Sequence, residues 1–275
     1  MSIALVTGAS TGIGLATAVT LARAGHTVYA GMRRPEVAAE ELKATGASII
    51  PLDVDSDASV AAACARPIDV LVNNAGIGSG GSVEETPLAE YRRVMETNYF
   101  GALRCIQAVV PGMRERRNGW IINVTSVAGR ISGGGQSAYS ASKWALEALS
   151  ESLACELRAF DVHVAIVEPG VIATPIFEKG IAPEKPSIYP FDRRLAAYFA
   201  ASLKKPVSPY VVGEAIRDIV AGGTWQLRHP VGPDAAPLLG MRASITDEQW
   251  VASAAMPDNE WAAGIGKSMG LDLEL

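Results

Sequence analysis

Apolar residues follow two spacings along this chain. Short, nearly unbroken runs recur at Ile3-Ala-Leu-Val6, Thr27-Val-Tyr-Ala-Gly31, Ser48-Ile-Ile-Pro-Leu52, Ile68-Asp-Val-Leu-Val72, Gly119-Trp-Ile-Ile-Asn-Val124, Val162-His-Val-Ala-Ile-Val167 and Trp225-Gln-Leu-Arg-His229. Such runs predict strands of a parallel sheet buried on both faces. Between them lie stretches of helical periodicity: 13–24, stopped by Gly25, a short one over 57–65, one from Thr86-Pro87 to the region of Pro111, and one from Tyr139 through Leu146, Leu149, Leu153, Leu157 and Phe160. Two more cover 193–203 and the stretch from Ser208-Pro209 to Gly222-Gly223. Strand and helix alternate, which predicts an α/β fold: a doubly wound parallel sheet in three layers, α/β/α, with right-handed crossovers.

The pattern breaks after Thr174. Residues 175–209 hold Pro175, Pro183, Pro186, Pro190, Pro206 and Pro209 together with Phe177, Tyr189, Phe191, Tyr198 and Phe199. They read as an insertion or lid within a domain spanning 1–230. Residues 231–275, with a helical patch near Thr246 to Ala254, read as an extension packed on the same domain. Composition narrows the classes. The 275 residues carry a net charge of −5 and no basic stripe, which argues against a nucleic-acid partner. No apolar run approaches the length of a membrane span. Cys64, Cys105 and Cys155 are scattered and odd in number, as reduced thiols of a cytoplasmic protein are. His26, His163 and His229 are also scattered, which argues against a metal site.

Candidate chemistry gathers at strand ends. Thr7-Gly8-Ala-Ser10-Thr-Gly12-Ile13-Gly14 joins the first strand to the first helix. Glycines there let the backbone approach a pyrophosphate, and the helix N-terminus offers free N–H groups. The second strand ends at Gly31-Met-Arg33-Arg34 with no carboxylate before Glu36. Guanidinium groups suit a ribose 2′-phosphate, so NADP is favoured over NAD. Asp53-Val54 follows the third strand, where the carboxylate could accept from an adenine amine or cap the helix near Asp57. Asn73-Asn74-Ala75-Gly76 follows the fourth, suited to packing on a ribose or to holding a neighbouring strand. Asn98 falls inside a helical stretch that asparagine fits poorly. The fifth strand delivers Thr125-Ser126 at its carboxyl end. Tyr139 and Lys143, at i and i+4, share a helix face. A cation held beside the phenol is expected to bring it below its ordinary value of about 10, ready to exchange a proton with an alcohol or carbonyl.

Together these segments, over roughly residues 3 to 230, resemble the short-chain dehydrogenase/reductase family. The motifs are Thr7-Gly8-x-x-x-Gly12-x-Gly14, Asp53-Val54, Asn73-Asn74-Ala75-Gly76, Asn98, Ser126, Tyr139-x-x-x-Lys143 and Pro169-Gly170, in the family's order. The tail and the Val28-Tyr-Ala-Gly-Met-Arg33 turn resemble its retinol- and hydroxysteroid-type branch. The resemblance implies a Rossmann-type domain and an NAD(P)-dependent oxidoreductase that interconverts an alcohol and a carbonyl, as a homodimer or homotetramer. It implies Tyr139 as general acid and base, and Lys143 as the cation that tunes Tyr139 and meets the nicotinamide ribose. Ser126 would hold the substrate oxygen, and Asn98 would position a relay water. Gly8, Ser10, Gly12, Ile13 and Gly14 would line the diphosphate and adenosine. Arg33 would meet the 2′-phosphate, Asp53 and Val54 the adenine, and Asn74, Ala75 and Gly76 the adenosine ribose side. Pro169, Gly170, Ile172 and Thr174 would hold the carboxamide. The aromatic segment after Thr174 suggests either an apolar substrate or a lid packed onto the sheet by those aromatics. Two departures stand out: Thr11 occupies a place where many NADP-using members carry a basic residue, and the segment from Asp53 to Ile68 is short. A catalytically idle dinucleotide sensor on the same fold is the competing reading.

Overall fold

The computed structural model describes residues 1–178, 187–222 and 225–275. Pro183, Pro186 and Gly223 of the segments above lie outside them. The first half of the chain runs β1 (Ile3–Thr7), α1 (Gly12–Arg23), β2 (Thr27–Met32), α2 (Glu40–Lys43), β3 (Ser48–Pro51), α3 (Asp57–Cys64), β4 (Val70–Asn73), α4 (Leu88–Met95) and α5 (Gly101–Arg116). The second half adds β5 (Gly119–Val124), α6 (Ser137–Leu157), β6 (Val162–Pro169), α7 (Phe191–Leu203), α8 (Tyr210–Ala221), β7 (Arg228–Val231), α9 (Ala235–Ala243), α10 (Asp247–Ser253) and α11 (Asp258–Met269).

The strands form one seven-stranded sheet in the order β3-β2-β1-β4-β5-β6-β7, every pair parallel. Alternate residues of each strand feed opposite layers. Ala4, Val6, Val70, Val72, Ile122 and Val124 pack with α1 and α8, while Leu5, Leu71 and Ile121 pack with α3, α5 and α6. Both faces are therefore dry, and that is why the strands read as unbroken apolar runs. The result is a Rossmann-like α/β domain. Its chain path reverses direction between β1 and β4, which opens a crevice at the carboxyl ends of those strands, where open sheets of this kind bind ligands.

Several boundaries differ from the sequence reading. The helical stretch after Pro87 is unbroken from Leu88 to Arg116, but between α4 and α5 it widens to a π turn over Glu96–Phe100 that contains Asn98. Pro87, not Thr86, is the N-cap residue of α4, and the Thr86 hydroxyl donates instead to Ser82 O at 2.7 Å. Ser56, not Asp53, caps α3, accepting from Ser59 N at 3.3 Å. The last strand starts at Arg228, because the Trp225 indole turns inward and donates to Val164 O at 2.9 Å. The tail holds three helices, of which α10 carries a capping box between Thr246 and Gln249.

Candidate active site

A cavity of about 1140 Å³ occupies the crevice. Gly8, Ser10, Gly12, Ile13, Arg33, Asp53, Val54, Asn74, Ala75 and Gly76 line one part of it. Ser126, Tyr139, Lys143, Pro169, Gly170, Ile172 and Thr174 line the middle. Gly14 and Asn98 do not reach its wall.

The glycine turn is shaped by close approach. Gly8 has φ +66°, and a Cβ there would lie 2.8 Å from Ala75 Cα. At Gly14 a Cβ would lie 2.3 Å from Gly8 O and 2.4 Å from Asn74 Nδ2. Gly14 thus lets α1 press against the β1 and β4 ends and does not face the crevice. Asn74 Nδ2 donates to Thr7 O (2.9 Å), and Thr7 Oγ1 accepts from the backbone N–H of Asn74 and Ala75 (both 3.0 Å). Asn73 serves the sheet: its Nδ2 donates to Asn123 Oδ1 at 2.8 Å, and Asn123 Nδ2 donates to Ser150 Oγ at 2.8 Å.

These residues fit a dinucleotide. Thr11 caps α1 with its backbone only, and no acidic residue occupies the first turn. The N-terminal N–H groups and the positive end of the helix dipole are left for an anion. Arg33 is exposed on the cavity wall and makes no salt bridge among the described residues.

Tyr139 and Lys143 sit one turn apart on α6. Lys143 Nζ donates to Val124 O at 2.9 Å and lies 5.7 Å from the centre of the Tyr139 ring. The expected lowering of the phenol does not hold. Burial pushes Tyr139 up to about 12, opposed in part by the nearby Ser126 hydroxyl, while burial brings Lys143 down to about 8 and Glu147 partly offsets that. The ammonium is aimed at a carbonyl and the ring, and loss of solvent outweighs its pull on the phenol. Ser126 Oγ accepts from Ala128 N at 3.1 Å. Asn98 is 1% exposed, and its amide group is hydrogen-bonded at both ends. Oδ1 accepts from Ile77 N (2.8 Å), while Nδ2 donates to Ile77 O (3.0 Å) and Ser142 Oγ (3.0 Å). The side chain therefore fixes the Gly76-Ile77 wall to α6, with both amide protons used and one lone pair of Oδ1 still open to a further donor.

Three groups escaped the sequence reading. Beneath Ser126, buried Glu147 accepts from Thr125 Oγ1 at 2.7 Å and faces Arg228 Nε at 3.1 Å. Glu168, 0% exposed, lies beside it against Arg130 (3.2 Å) and Arg228 (3.9 Å). Asp234 accepts from Val171 N at 2.8 Å and fills the space a Gly170 side chain would take. Tail residues Leu238, Met241, Trp250 and Trp261 complete an apolar wall with Phe177 and Phe199. The wall is clamped by Arg194, which donates to Asp258 Oδ1 (2.8 Å), Ala254 O (3.0 Å) and Met256 O (2.5 Å). Of Glu147, Glu168 and Asp234, only Glu147, at i+4 from Lys143, gave a sequence signal.

Residues 2–185 match the short chain dehydrogenase family, and the chain belongs to it as an oxidoreductase. It is similar to retinol dehydrogenase 8 of Homo sapiens, 38% identical over 231 residues that cover 78% of this chain and 74% of that protein. It is also similar to the oxidoreductase YusZ of Bacillus subtilis (strain 168), 34% identical over 268 residues, 90% of this chain and 95% of that protein. Among solved structures, a short-chain dehydrogenase from Streptomyces avermitilis superposes with a TM-score of 0.80 at 36% identity, covering 93% of this chain and 99% of that one. A short chain dehydrogenase from Burkholderia cenocepacia J2315 in complex with NADP superposes with a TM-score of 0.73 at 28% identity, covering 93% of this chain and 98% of that one.

Proposed function

We propose that the protein is an NADP-dependent oxidoreductase that interconverts an apolar secondary alcohol and its ketone, or the corresponding alcohol and aldehyde. One observation carries this reading: Ser126, Tyr139 and Lys143 share a single cavity with a phosphate-suited glycine turn and an apolar wall. Gly8, Ser10, Gly12, Ile13 and the N-terminus of α1 would hold the diphosphate. Arg33 would hold the 2′-phosphate, with Asp53 and Val54 at the adenine. Asn74, Ala75 and Gly76 would meet the adenosine ribose side, and Pro169, Gly170, Ile172 and Thr174 the carboxamide. When bound, the cofactor supplies or accepts the hydride.

The chain supplies orientation and a proton. Ser126 Oγ donates to the substrate oxygen and steadies the charge that develops there. Tyr139, neutral at physiological pH because burial holds its proton, gives that proton to the same oxygen in reduction and takes one back in oxidation. Lys143 holds the ammonium that stabilises the phenol as it loses its proton. Asn98 keeps the wall opposite Lys143 in register.

A cytoplasmic location belongs to this reading and is supported by the unbridged Cys64, Cys105 and Cys155. Among the described residues no helix is long and apolar enough to cross a membrane. A homodimer or homotetramer also belongs to it, supported by Phe100 (43% exposed) and Trp144 (49% exposed) on the elements that carry Asn98 and Tyr139. NADPH oxidation across a panel of ketones and aldehydes tests the activity. Turnover is expected with apolar members and is expected to fall about 10²–10⁴-fold in Tyr139→Phe. Undiminished turnover in that variant would remove Tyr139 as acid and base, and a silent panel would favour a dinucleotide sensor.

A further inference from the structure

Glu147 extends the face of α6 that carries Tyr139 and Lys143 by one more turn. It is 4% exposed, and a buried carboxylate costs stability unless it is matched. Part of the match is plain. Oε1 accepts from Thr125 Oγ1 at 2.7 Å, and Oε2 faces Arg228 Nε at 3.1 Å. The contact with Thr125 holds the residue next to Ser126. Gly129, in the turn after Ser126, sits so close that a Cβ would lie 2.9 Å from Glu147 Cγ and 3.2 Å from Lys143 O. The carboxylate is thus wedged beneath the whole Thr125–Gly129 turn.

Charge balance explains why an acid is placed there. Glu168 from β6 lies on the far side, Arg228 from β7 bridges both acids, and Glu151 from the next turn of α6 reaches Arg228 at 2.9 Å. Arg130 faces Glu168 at 3.2 Å. Lys143 on the near side is 5% exposed and faces Val124 O and the Tyr139 ring, neither of which carries a full negative charge. Glu147 is the carboxylate that opposes the loss of its proton; burial and Glu168 push Glu147 itself up, and Thr125 and Arg228 work against that to keep it charged. The two do not form a direct ion pair, so the effect is that of a field across a dry interior, where charges one helical turn apart still interact strongly.

We propose that Glu147 is a positioning residue for the proposed reaction: it backs the Lys143 ammonium from behind and, through Thr125, fixes the loop that presents Ser126. This rests on the oxidoreductase reading for its purpose but not for its measurement.

The test uses the full-length protein. Competitive reductive methylation with formaldehyde and a borane reductant, read at Lys143 by mass spectrometry across pH, reports the midpoint at which the amine loses its proton. Turnover is not needed. Glu147→Gln keeps an acceptor for Thr125 and removes the charge, while Glu147→Asp keeps the charge and shortens the side chain. Glu151→Gln removes a carboxylate from the same Arg228 without facing Lys143. The glutamine variant is expected to lower the Lys143 midpoint by about one pH unit, with the alkaline limb of kcat/KM moving by the same amount. The aspartate and Glu151 variants are expected to stay with the parent protein. An unmoved midpoint in folded Glu147→Gln overturns the proposal, as does an equal drop in Glu147→Asp, which would mark a packing role. If only the aspartate variant folds, a midpoint that stays with the parent supports the proposal and one that drops overturns it. A shifted midpoint with no turnover on any carbonyl would leave this inference standing and remove the oxidoreductase reading.

Discussion

The Lys143 ammonium lies 5.7 Å from the centre of the Tyr139 ring while donating to the Val124 carbonyl at 2.9 Å. It is therefore held by the end of β5, one residue before Thr125, and not by the phenol one helical turn away. Burial brings it down to about 8, so it carries its charge below that pH and loses it above. Carbonyl reduction that needs the ammonium is expected to be at its plateau below about pH 8 and to fall as pH rises through that value. A kcat profile from pH 6 to 10 checks this. A plateau extending past pH 10 would mean that the ammonium is not so perturbed.

On the proposed reading Arg33 carries the nucleotide preference. Arg33→Ala is expected to weaken NADPH about ten- to a hundredfold, the worth of a charge-assisted hydrogen bond, and to leave NADH nearly unchanged. Fluorescence titration of both nucleotides reads this. Equal affinity of the parent protein for NADPH and NADH would contradict the assignment.

Two glycines are steric necessities. Gly14→Ala would bring a Cβ to 2.3 Å from Gly8 O, and Gly170→Ala would bring one to 2.0 Å from Asp234 Oδ1. Each is expected to cost about 1–3 kcal/mol by overpacking, read as a lower midpoint in urea unfolding. For Gly170, the paired change Gly170→Ala with Asp234→Ala is expected to recover part of the loss.

The apolar wall is expected to set substrate size. Phe199→Ala removes a ring packed 5.0 Å from that of Phe177, and KM for a bulky apolar ketone should rise on the order of tenfold while that for a small ketone stays nearly constant. A parallel rise for both would show that the wall shapes the whole site.

Much of the frame was legible because burial on two faces writes itself into sequence as apolar runs. The β5 run, Gly119 to Val124, is reproduced to the residue. Asn98 was legible as a misfit, but its π turn was not, since a wide turn changes backbone spacing without changing the periodicity of Tyr91 and Val94. The partners of Glu147 were hidden for a different reason. Arg228 stands 81 residues away in sequence, and only the β6–β7 pairing brings it over α6. The direction of the Tyr139 shift failed because spacing reports which groups are neighbours, not how much water they have lost.

The Arg194 clamp makes the C-terminal stretch a structural member of the pocket. On the proposed reading, part of the selectivity for the carbonyl compound resides in residues 238–261, outside the sheet, and a graft there would change it while the glycine turn stayed as it is.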